Sequence, residues 1–389
     1  MVKEIISEFN NHVIPFWKNL YDPEFGGFYG YMDYDLNLDK KAVKGCILNS
    51  RIMWFFSNSY MYLKDEDSLR YAEYAFDFMN KYCIDKENGG VYWSMNYDGT
   101  VFDSTKHTYN QAFAIYALAA FYEASGNKKA LDMAYDIYNI VESKCRDKDG
   151  YLEAFDRTFS PVSNEKLSEN GVEAKRTMNT ALHILEAYTE FYKVTKDEDV
   201  KKKLYEIYDI FKNKIYIPEK ERLGVFFDND YNNIIDLYSY GHDIEASWLL
   251  DRGLEVLDDA ELNASIAPID KELRENILKI AFDGNSVPAE CENGVVLETR
   301  IWWVQAESIV GFVNGYQKDN EPKFMEAAEK IWNYIQMYFV DSRPGSEWFQ
   351  DLDINNNPVK EKPILEEWKC PYHTGRMCIE MIKRGFIDV

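Results

Sequence analysis

Apolar residues recur along this chain with the period of an amphipathic helix, in segments that come in pairs. Within residues 107–125, the spacing i, i+3, i+4, i+7 is occupied by Ala112, Ile115, Tyr116 and Ala119. Gly126 is the predicted C-cap of this helix, and a more polar helix is expected over residues 128–145. Similar pairs begin near Cys46, Met178, His242 and Trp302. The first helix of each pair is the more apolar, so the pattern predicts an inner and an outer ring of helices.

A glycine-containing turn separates successive helix pairs. Most of these turns lead directly into a short aromatic segment, although the fifth lacks one. The six turns lie at residues 26–29, 89–93, 149–151, 223–227, 283–286 and 345–349. Their spacing of roughly 60 to 75 residues is typical of a repeat architecture built from helix pairs.

The two ends of the chain are predicted to complete the repeat. A helix from about Lys3 to Leu20 has no preceding partner, and a helix from about His373 to Lys383 has no following one. Paired with each other, they would form a sixth pair and close the ring. We therefore predict an all-α fold, one (α/α)6-barrel domain over residues 1–389 with six inner and six outer helices. Short β-hairpins are expected at one end, and the mouth of the cavity at the other.

Composition and charge narrow the possible functions. The 389 residues are 46 % hydrophobic and 16 % aromatic, enough for a large core and an aromatic-lined cavity. A net charge of −23 repels phosphate backbones, so we expect no nucleic-acid partner, whereas a neutral small molecule is compatible with it. From the sequence we expect no signal peptide and no membrane span, and the six cysteines lack zinc-type spacing. We expect a cytoplasmic monomer or weak homodimer with free thiols, no membrane partner and no cofactor.

Polar and aromatic residues cluster at the predicted starts of the inner helices. Four of the five histidines fall in this part of the repeat: His107, His183, His242 and His373. The same segments contribute Arg51, Tyr109, Asn179, Glu245, Trp303 and Glu307. In a closed barrel these first turns converge at one mouth, where helix N-termini add positive potential. The sequence therefore predicts a concave site with aromatic walls, imidazoles and carboxylates.

Several of these residues also have a purely structural interpretation. A single histidine at a helix start is more often a cap or core residue. For His107 the two interpretations are balanced, because Tyr109 can be the cavity residue of that helix. Arg51 can be an ion-pair partner in the core. Arg376 and Glu380 have i, i+4 spacing, which predicts a salt bridge between them.

Two other kinds of site use similar residues. Three histidines and a carboxylate can hold zinc, but these come from separate helices without an HExxH-type pair, so we predict no metal. Paired carboxylates can hydrolyse glycosides, and helical barrels host such enzymes. Glycoside hydrolysis would not explain why the histidines cluster in this sequence. Glu245 and Glu307 can instead support the histidines.

Motifs from one end of the chain to the other carry a specific resemblance. They lie at residues 14–17, 26–31, 106–109, 167–171, 239–246, 302–307 and 368–373. Together they resemble the N-acylglucosamine 2-epimerase family, and within it the branch that acts on cellobiose. This resemblance implies a metal-free epimerisation at C2 of the reducing-end glucose, giving a mannose-ended disaccharide from cellobiose and also from lactose.

The resemblance also implies roles for individual residues. In the family, the positions matching His242 and His373 are the acid/base pair. The matching positions that line the site are Arg51, Asn179, His183, Glu245, Trp303, Glu307 and Trp368. We predict that His183 is catalytic as well, and that Tyr109 contacts the substrate.

The chemistry accounts for this set of residues. The C2 proton of an open-chain aldose is acidic because C2 adjoins the C1 carbonyl, and its removal gives a cis-enediolate. Imidazole, with an ordinary pKa of about 6.5, suits this proton transfer. Inversion requires delivery to the opposite face, which two histidines can divide. His183 and Arg51 can stabilise the oxyanion, and Trp303 and Trp368 can stack on sugar rings.

The alternatives are an aldose–ketose isomerase, an N-acylglucosamine 2-epimerase, a glycoside hydrolase and a non-catalytic sugar-binding protein.

Overall fold

The computed structural model describes residues 1–167 and 170–385, and most of them are helical. The α-helices are α1 (Val2–Glu8), α2 (Ile14–Lys18), α3 (Cys46–Leu63), α4 (Glu66–Phe78), α5 (Thr108–Ser125), α6 (Lys128–Lys144), α7 (Met178–Thr195), α8 (Glu198–Ile210), α9 (Tyr240–Leu257), α10 (Ala260–Ile280), α11 (Trp302–Asp319), α12 (Pro322–Tyr334) and α13 (Pro371–Lys383). Short π-helical segments join α1 to α2 and extend α4, α8 and α12; they are Phe9–Val13, Met79–Cys83, Phe211–Ile215 and Ile335–Phe339.

The helices form two concentric rings. Helices α3, α5, α7, α9, α11 and α13 pack each against the next, and α13 packs back against α3, which closes the inner ring. Each of α4, α6, α8, α10 and α12 packs against the inner helix that precedes it, and α1 packs against α13. The two ends of the chain thus form the sixth pair, and the predicted (α/α)6 barrel is confirmed.

Burial explains the contrast between the two rings. Helix α5 is buried on all sides from Thr108 to Phe121, because it lies between the barrel axis and the outer ring. Helix α6 buries one stripe, which consists of Ala130, Met133, Ala134, Ile137, Tyr138 and Val141. Gly126 ends α5 with a φ of 70°, as predicted, and its N–H bonds the carbonyl of Tyr122. Helix α9 begins at Tyr240, two residues before the predicted His242.

Short antiparallel strands connect the rings. They are β1 (Lys44–Gly45), β2 (Ser94–Met95), β3 (Val101–Asp103), β4 (Lys106–His107), β5 (Ala154–Phe155), β6 (Arg176–Thr177), β7 (Tyr216–Ile217), β8 (Arg222–Leu223), β9 (Phe226–Phe227), β10 (Leu237–Ser239), β11 (Glu290–Glu292), β12 (Val295–Leu297), β13 (Arg300–Ile301) and β14 (Asp351–Leu352). They pair as β1–β2–β3, β4–β5, β6–β9, β7–β8, β10–β11–β12 and β13–β14.

The strands lie at the mouth of the cavity, so the prediction that hairpins and mouth occupy opposite ends is wrong. Strands β1, β4, β6, β10 and β13 each end at the residue before an inner helix. A strand that runs directly into a helix N-terminus must lie at the same end of the barrel as that N-terminus. Thr177, Phe226, Ser239, Glu290 and Ile301 accordingly line the cavity.

An ion pair anchors the start of most inner helices. In five of the six, the residue two positions before the helix is basic. In four of these it pairs with an aspartate that begins the preceding glycine turn, as Lys44–Asp22, Lys106–Asp85, Arg176–Asp147 and Arg300–Asp283. The aspartates also accept backbone N–H groups of the turn. Before α13, Lys369 pairs with Glu347 instead, and before α9 the position holds Tyr238.

Candidate active site

A cavity of about 320 Å³ opens where the inner helices begin. Nine of the eleven residues that the sequence singled out line it: Arg51, Tyr109, Asn179, His183, His242, Glu245, Trp303, Trp368 and His373. Glu307 does not line the cavity and is fully buried behind His373. His107 is buried outside the cavity with its ring against Trp93, at 4.7 Å between ring centroids, so Tyr109 is the cavity residue of α5.

His373, in the first turn of α13, is held by a carboxylate. Its Nδ1 lies 2.8 Å from Oε1 of Glu307. A donor at Nδ1 leaves the lone pair of Nε2 free to accept a proton. Burial lowers the pKa of His373 well below its ordinary value, and the negative charge of Glu245 opposes this shift only in part. In this geometry His373 is suited to act as a base.

His242, in the first turn of α9, is held by a hydroxyl instead. Its Nδ1 lies 2.6 Å from Oγ of Ser239. A hydroxyl can donate or accept, so both neutral tautomers of His242 are compatible with this contact. Burial lowers the pKa of His242 to about 4.

Trp303 brings the two histidines into one part of the cavity. Its ring centroid lies 4.9 Å from that of His242 and 5.2 Å from that of His373. Gly241 makes this approach possible, because a Cβ at that position would lie 2.5 Å from Cη2 of Trp303. Both imidazoles therefore contact one indole and lie in the same part of the cavity.

His183 projects from α7 and is held by a residue that the sequence analysis missed. Its Nδ1 lies 2.9 Å from Oε2 of Glu186, and its ring packs edge-on against Tyr109 with 5.1 Å between centroids. Burial alone would raise the pKa of Glu186, but the charge of Arg376 and the bond to His183 lower it to about 2. The i, i+3 spacing of His183 and Glu186 is the signal that could have identified this pair.

Arg376 lies at the centre of the carboxylates behind the cavity. Its guanidinium contacts Glu186 at 2.6 Å, Glu307 at 2.7 Å and also Glu245. The predicted salt bridge between Arg376 and Glu380 is therefore wrong. Although i, i+4 residues share a helix face, Arg376 extends toward the barrel axis, where three carboxylates compensate its charge.

Glu380 has other partners, which lie nearer the end of α13. Its carboxylate pairs with Lys383 at 3.0 Å and with Arg384 at 3.4 Å. Arg376 and Glu380, although one turn apart on α13, therefore have different ion-pair partners.

Arg376 also bears on the question of a metal. Within the described chain, Glu245, Glu307 and His373 lie close enough together to surround an ion. The Arg376 guanidinium, however, already contacts both carboxylates. A cation at this point would meet the repulsion of a buried guanidinium, so the donor set does not fit a metal ion.

Arg51 presents a positive charge that no carboxylate of the described residues neutralises directly. It donates to Oη of Tyr109 at 2.8 Å, and its guanidinium packs 4.1 Å from the ring centroid of Phe113. Among the described residues, no carboxylate lies within 4.0 Å of it. The structural interpretation of Arg51 as an ion-pair partner is thus not supported, and its charge is available to an oxygen in the cavity.

Three cavity residues carry buried acceptor oxygens that meet no donor in the described part of the chain. They are Oδ1 of Asn179, Oε2 of Glu245 and Oε1 of Gln350. Buried acceptors are costly when unpaired, so these atoms favour a ligand rich in hydroxyl groups. Gln350 escaped the sequence analysis because it precedes a short strand rather than an inner helix.

The motif at residues 167–171 contributes to the mouth through its ends. Leu167 and Asn170 line the cavity, and Nδ2 of Asn170 lies 3.3 Å from carboxylate oxygens of both Glu290 and Glu292. Ser168 and Glu169 lie outside the described residues.

The model of the N-acylglucosamine 2-epimerase family matches residues 27–374, most of the chain. The chain belongs to this family. It is 48 % identical to the cellobiose 2-epimerases of Eubacterium cellulosolvens, over 99 % of both chains, and of Ruminococcus albus, over 100 % of both chains. Its fold matches a crystal structure of a sugar epimerase from a ruminal bacterium with a TM-score of 0.98, at 47 % identity and complete coverage of both chains.

This membership confirms the resemblance read from the motifs and the expectation of a carbohydrate epimerase. In the residues that the structure describes, we find no helix whose length and apolar character would let it span a bilayer.

Proposed function

We propose that this epimerase inverts C2 of the reducing-end glucose in β-1,4-linked disaccharides, converting cellobiose to glucosyl-mannose and lactose to epilactose. The observation that carries the proposal is the pair of imidazoles, His242 and His373, which contact one indole in a cavity whose acceptor oxygens meet no donor among the described residues and can bind hydroxyl groups. The names of the relatives support cellobiose as the substrate.

The reaction begins when the pyranose opens and exposes the C1 aldehyde. One imidazole then takes the C2 proton at Nε2, and the electrons move onto O1 to give the cis-enediolate. The other imidazole delivers a proton to C2 from the opposite face, which completes the inversion. Arg51 and His183 stabilise the negative charge that develops on O1 and O2. Microscopic reversibility makes each histidine the base in one direction and the acid in the other.

The charges around the cavity suit one neutral and one protonated imidazole. At pH 7 the lowered pKa values leave His242 and His373 neutral in the free site, which provides the base. Three carboxylates surround the Arg376 guanidinium, Arg51 adds a second positive charge at the cavity, and the enediolate adds a further negative charge. This excess of negative charge favours the uptake of one proton in the complex, which provides the acid.

The experiment is incubation of the protein with cellobiose in D2O, followed by NMR analysis of the sugars. The proposal predicts a mannose-ended disaccharide with deuterium at C2. A ketose would indicate an aldose–ketose isomerase, released glucose would indicate a glycoside hydrolase, and unchanged cellobiose would indicate a binding protein. Each of these three results contradicts the proposal.

A further inference from the structure

In four inner helices, the side chain of the fourth residue hydrogen-bonds the backbone of a neighbouring loop and so ties the start of the helix to that loop. The residues are Asn49 in α3, Gln111 in α5, Asp243 in α9 and Gln305 in α11. Each accepts a hydrogen bond from the backbone N–H of a residue in or just after the preceding turn. Three of the four are amides, and only Asp243 is an acid.

The two glutamines use both ends of their amides. Oε1 of Gln111 accepts from the N–H of Val91 at 2.7 Å, and its Nε2 donates to the carbonyl of the same residue at 2.8 Å. Gln305 makes the same two bonds with Val287, at 3.0 and 2.7 Å. An acceptor and a donor are therefore both used at this position of the repeat.

Asn49 shows what a shorter side chain does at the same position. Its Oδ1 accepts from the N–H of Phe28 at 3.2 Å, while its Nδ2 donates to the carbonyl of Gly45, four residues earlier, at 3.1 Å. Gln305 also approaches the carbonyl four residues earlier, that of Ile301, at 3.4 Å. The second atom of the amide thus donates back to the residue before the helix.

Asp243 has the acceptor half of this arrangement but lacks a visible partner for the other half. Its Oδ2 accepts from the N–H of Leu223 at 3.3 Å. Its Oδ1 is buried and meets no donor among residues 1–167 and 170–385. The whole side chain is buried, so an ionised Asp243 would leave a charged oxygen unsatisfied in the core.

We infer that Asp243 is a neutral carboxylic acid that replaces the amide, and that its hydroxyl donates to the carbonyl of Ser239 and so positions His242. Ser239 is the residue four positions earlier, the counterpart of Gly45 for Asn49. Its own Oγ bonds Nδ1 of His242. Asp243 is therefore a positioning residue for the proton transfer, and it acts through Ser239.

The groups around Asp243 are compatible with a neutral acid. Arg222 on β8, Tyr216 on β7 and Tyr238 on β10 are the titratable groups of the neighbouring strands. Arg222 makes its ion pair with the half-exposed Asp236, and no salt bridge joins it to Asp243 in the described chain. Burial raises the pKa of Asp243 well above its usual range, and the Leu223 N–H and Arg222 oppose this only in part.

The inference predicts the pH dependence of stability. The folded state retains the proton that the unfolded chain loses near pH 4, so the contribution of Asp243 to the free energy of unfolding is complete below pH 4 and declines as pH rises. Asp243→Asn supplies the donor permanently and removes this decline. The variant should match the wild type at pH 4, exceed it in stability at pH 8, and keep kcat within about threefold.

Gln111→Glu is the matched control, because it places an acid at the equivalent position of a helix that carries no acid/base histidine. In this variant the free energy of unfolding should show an additional decline of the same kind as pH rises, while the proton transfers at C2 stay unchanged. Asp243→Ala, which removes the donor, should lower kcat about tenfold or more with a smaller change in KM.

Urea unfolding of the wild type and the three variants at pH 4 to 8 tests the assignment without reference to any substrate. The infrared difference spectrum of wild type minus Asp243→Asn should show the C=O band of a carboxylic acid at pH 7. An absent band, an unchanged decline in Asp243→Asn, or failure of that variant to fold would overturn it.

The kinetic arm rests on the proposed function, whereas the unfolding and infrared arms do not. If the wild type leaves cellobiose unchanged, the proposed function fails while Asp243 is still judged by these two arms. If Asp243→Asn matches the wild type in stability at every pH but loses kcat more than tenfold, Asp243 acts as a charge and the inference fails alone.

Discussion

Nδ1 of His373 lies 2.8 Å from Oε1 of Glu307, a carboxylate that is fully buried behind the cavity wall. The same carboxylate accepts a hydrogen bond from Nε1 of Trp248 at 3.0 Å and pairs with Arg376 at 2.7 Å. Because its other contacts fix its position, Glu307 can fix the tautomer of His373 and stabilise the imidazolium.

Glu307→Gln tests this role directly. An amide preserves the volume but removes the charge that stabilises a protonated His373, and it can present a donor to Nδ1. We expect kcat to fall by about 10²–10⁴-fold with KM changed less. Steady-state kinetics on cellobiose measure it, and circular dichroism checks the fold. A variant with kcat near that of the wild type would exclude Glu307 from the proton transfer.

The lowered pKa values of the histidines predict the acid side of the pH profile. A base must be neutral to act, so kcat/KM falls as pH drops below the pKa of that base in the free enzyme. Burial lowers the pKa of His242 to about 4 and that of His373 well below its ordinary value. The acid limb should therefore lie well below pH 6.5.

This profile is measured as kcat/KM between pH 4 and pH 8. Enzyme held at each pH and returned to pH 7 controls for irreversible unfolding. An acid limb at or above pH 6.5 would be inconsistent with desolvated imidazoles.

Acid should unfold the protein partly through Glu186. Its pKa is about 2 in the folded state and about 4.5 ordinarily, so it contributes on the order of 3 kcal/mol of stability above pH 4.5. This contribution is lost as pH falls from 4.5 toward 2. In Glu186→Gln, the free energy of unfolding should decline less steeply over this range, as urea titrations at pH 5.5 and 3 would show.

Glu380→Gln is the control for this measurement. The pKa of Glu380 is likewise lowered to about 2, with Lys383 and Arg384 outweighing its burial, but its carboxylate lies away from the histidines. Glu380→Gln should likewise make the free energy of unfolding decline less steeply as pH falls, and it should leave kcat unchanged. Equal slopes for Glu186→Gln and the wild type would contradict the assignment.

Activity should not depend on a divalent metal. The carboxylates that could approach an ion are already paired with Arg376, so chelation removes nothing that the site uses. Rates measured before and after dialysis against EDTA should agree. A loss of activity that one particular ion restores would show that this prediction is wrong.

The repeat explains which features were predictable from the sequence. Residues at inner-helix starts share one position in the repeat, so their convergence followed from periodicity and ring closure, and Arg51, His183, His242 and His373 do meet in the cavity. The prediction that the hairpins lie at the end of the barrel opposite the cavity mouth was wrong. Strands such as β4 and β13 run directly into inner helices and therefore lie at the mouth.

The ion pairs behind the cavity were harder to predict, because they join helices that are distant in the sequence. Arg376 on α13 pairs with Glu186 on α7 and Glu245 on α9, at sequence separations that no local spacing reveals. Local spacing suggested Glu380 for Arg376 instead. Only the packing of the inner ring shows that the Arg376 guanidinium contacts acids of other helices rather than Glu380 on its own helix.

The central claim is that two histidines, one on each face, move the C2 proton. His242→Ala and His373→Ala should each lower interconversion of the epimers by at least about 10²-fold. Because residues that act as a unit are not additive, the double variant should be little slower than either single one.

The most direct measurement is C2–H exchange in D2O, started separately from cellobiose and from its mannose-ended epimer, with each single variant. The two-base mechanism predicts that each variant loses interconversion and that the surviving histidine still exchanges the C2 proton of one epimer only, a different epimer in each variant. If His373→Ala interconverts the epimers at nearly the wild-type rate, the two-base mechanism is wrong, and a single base with a rotating intermediate takes its place.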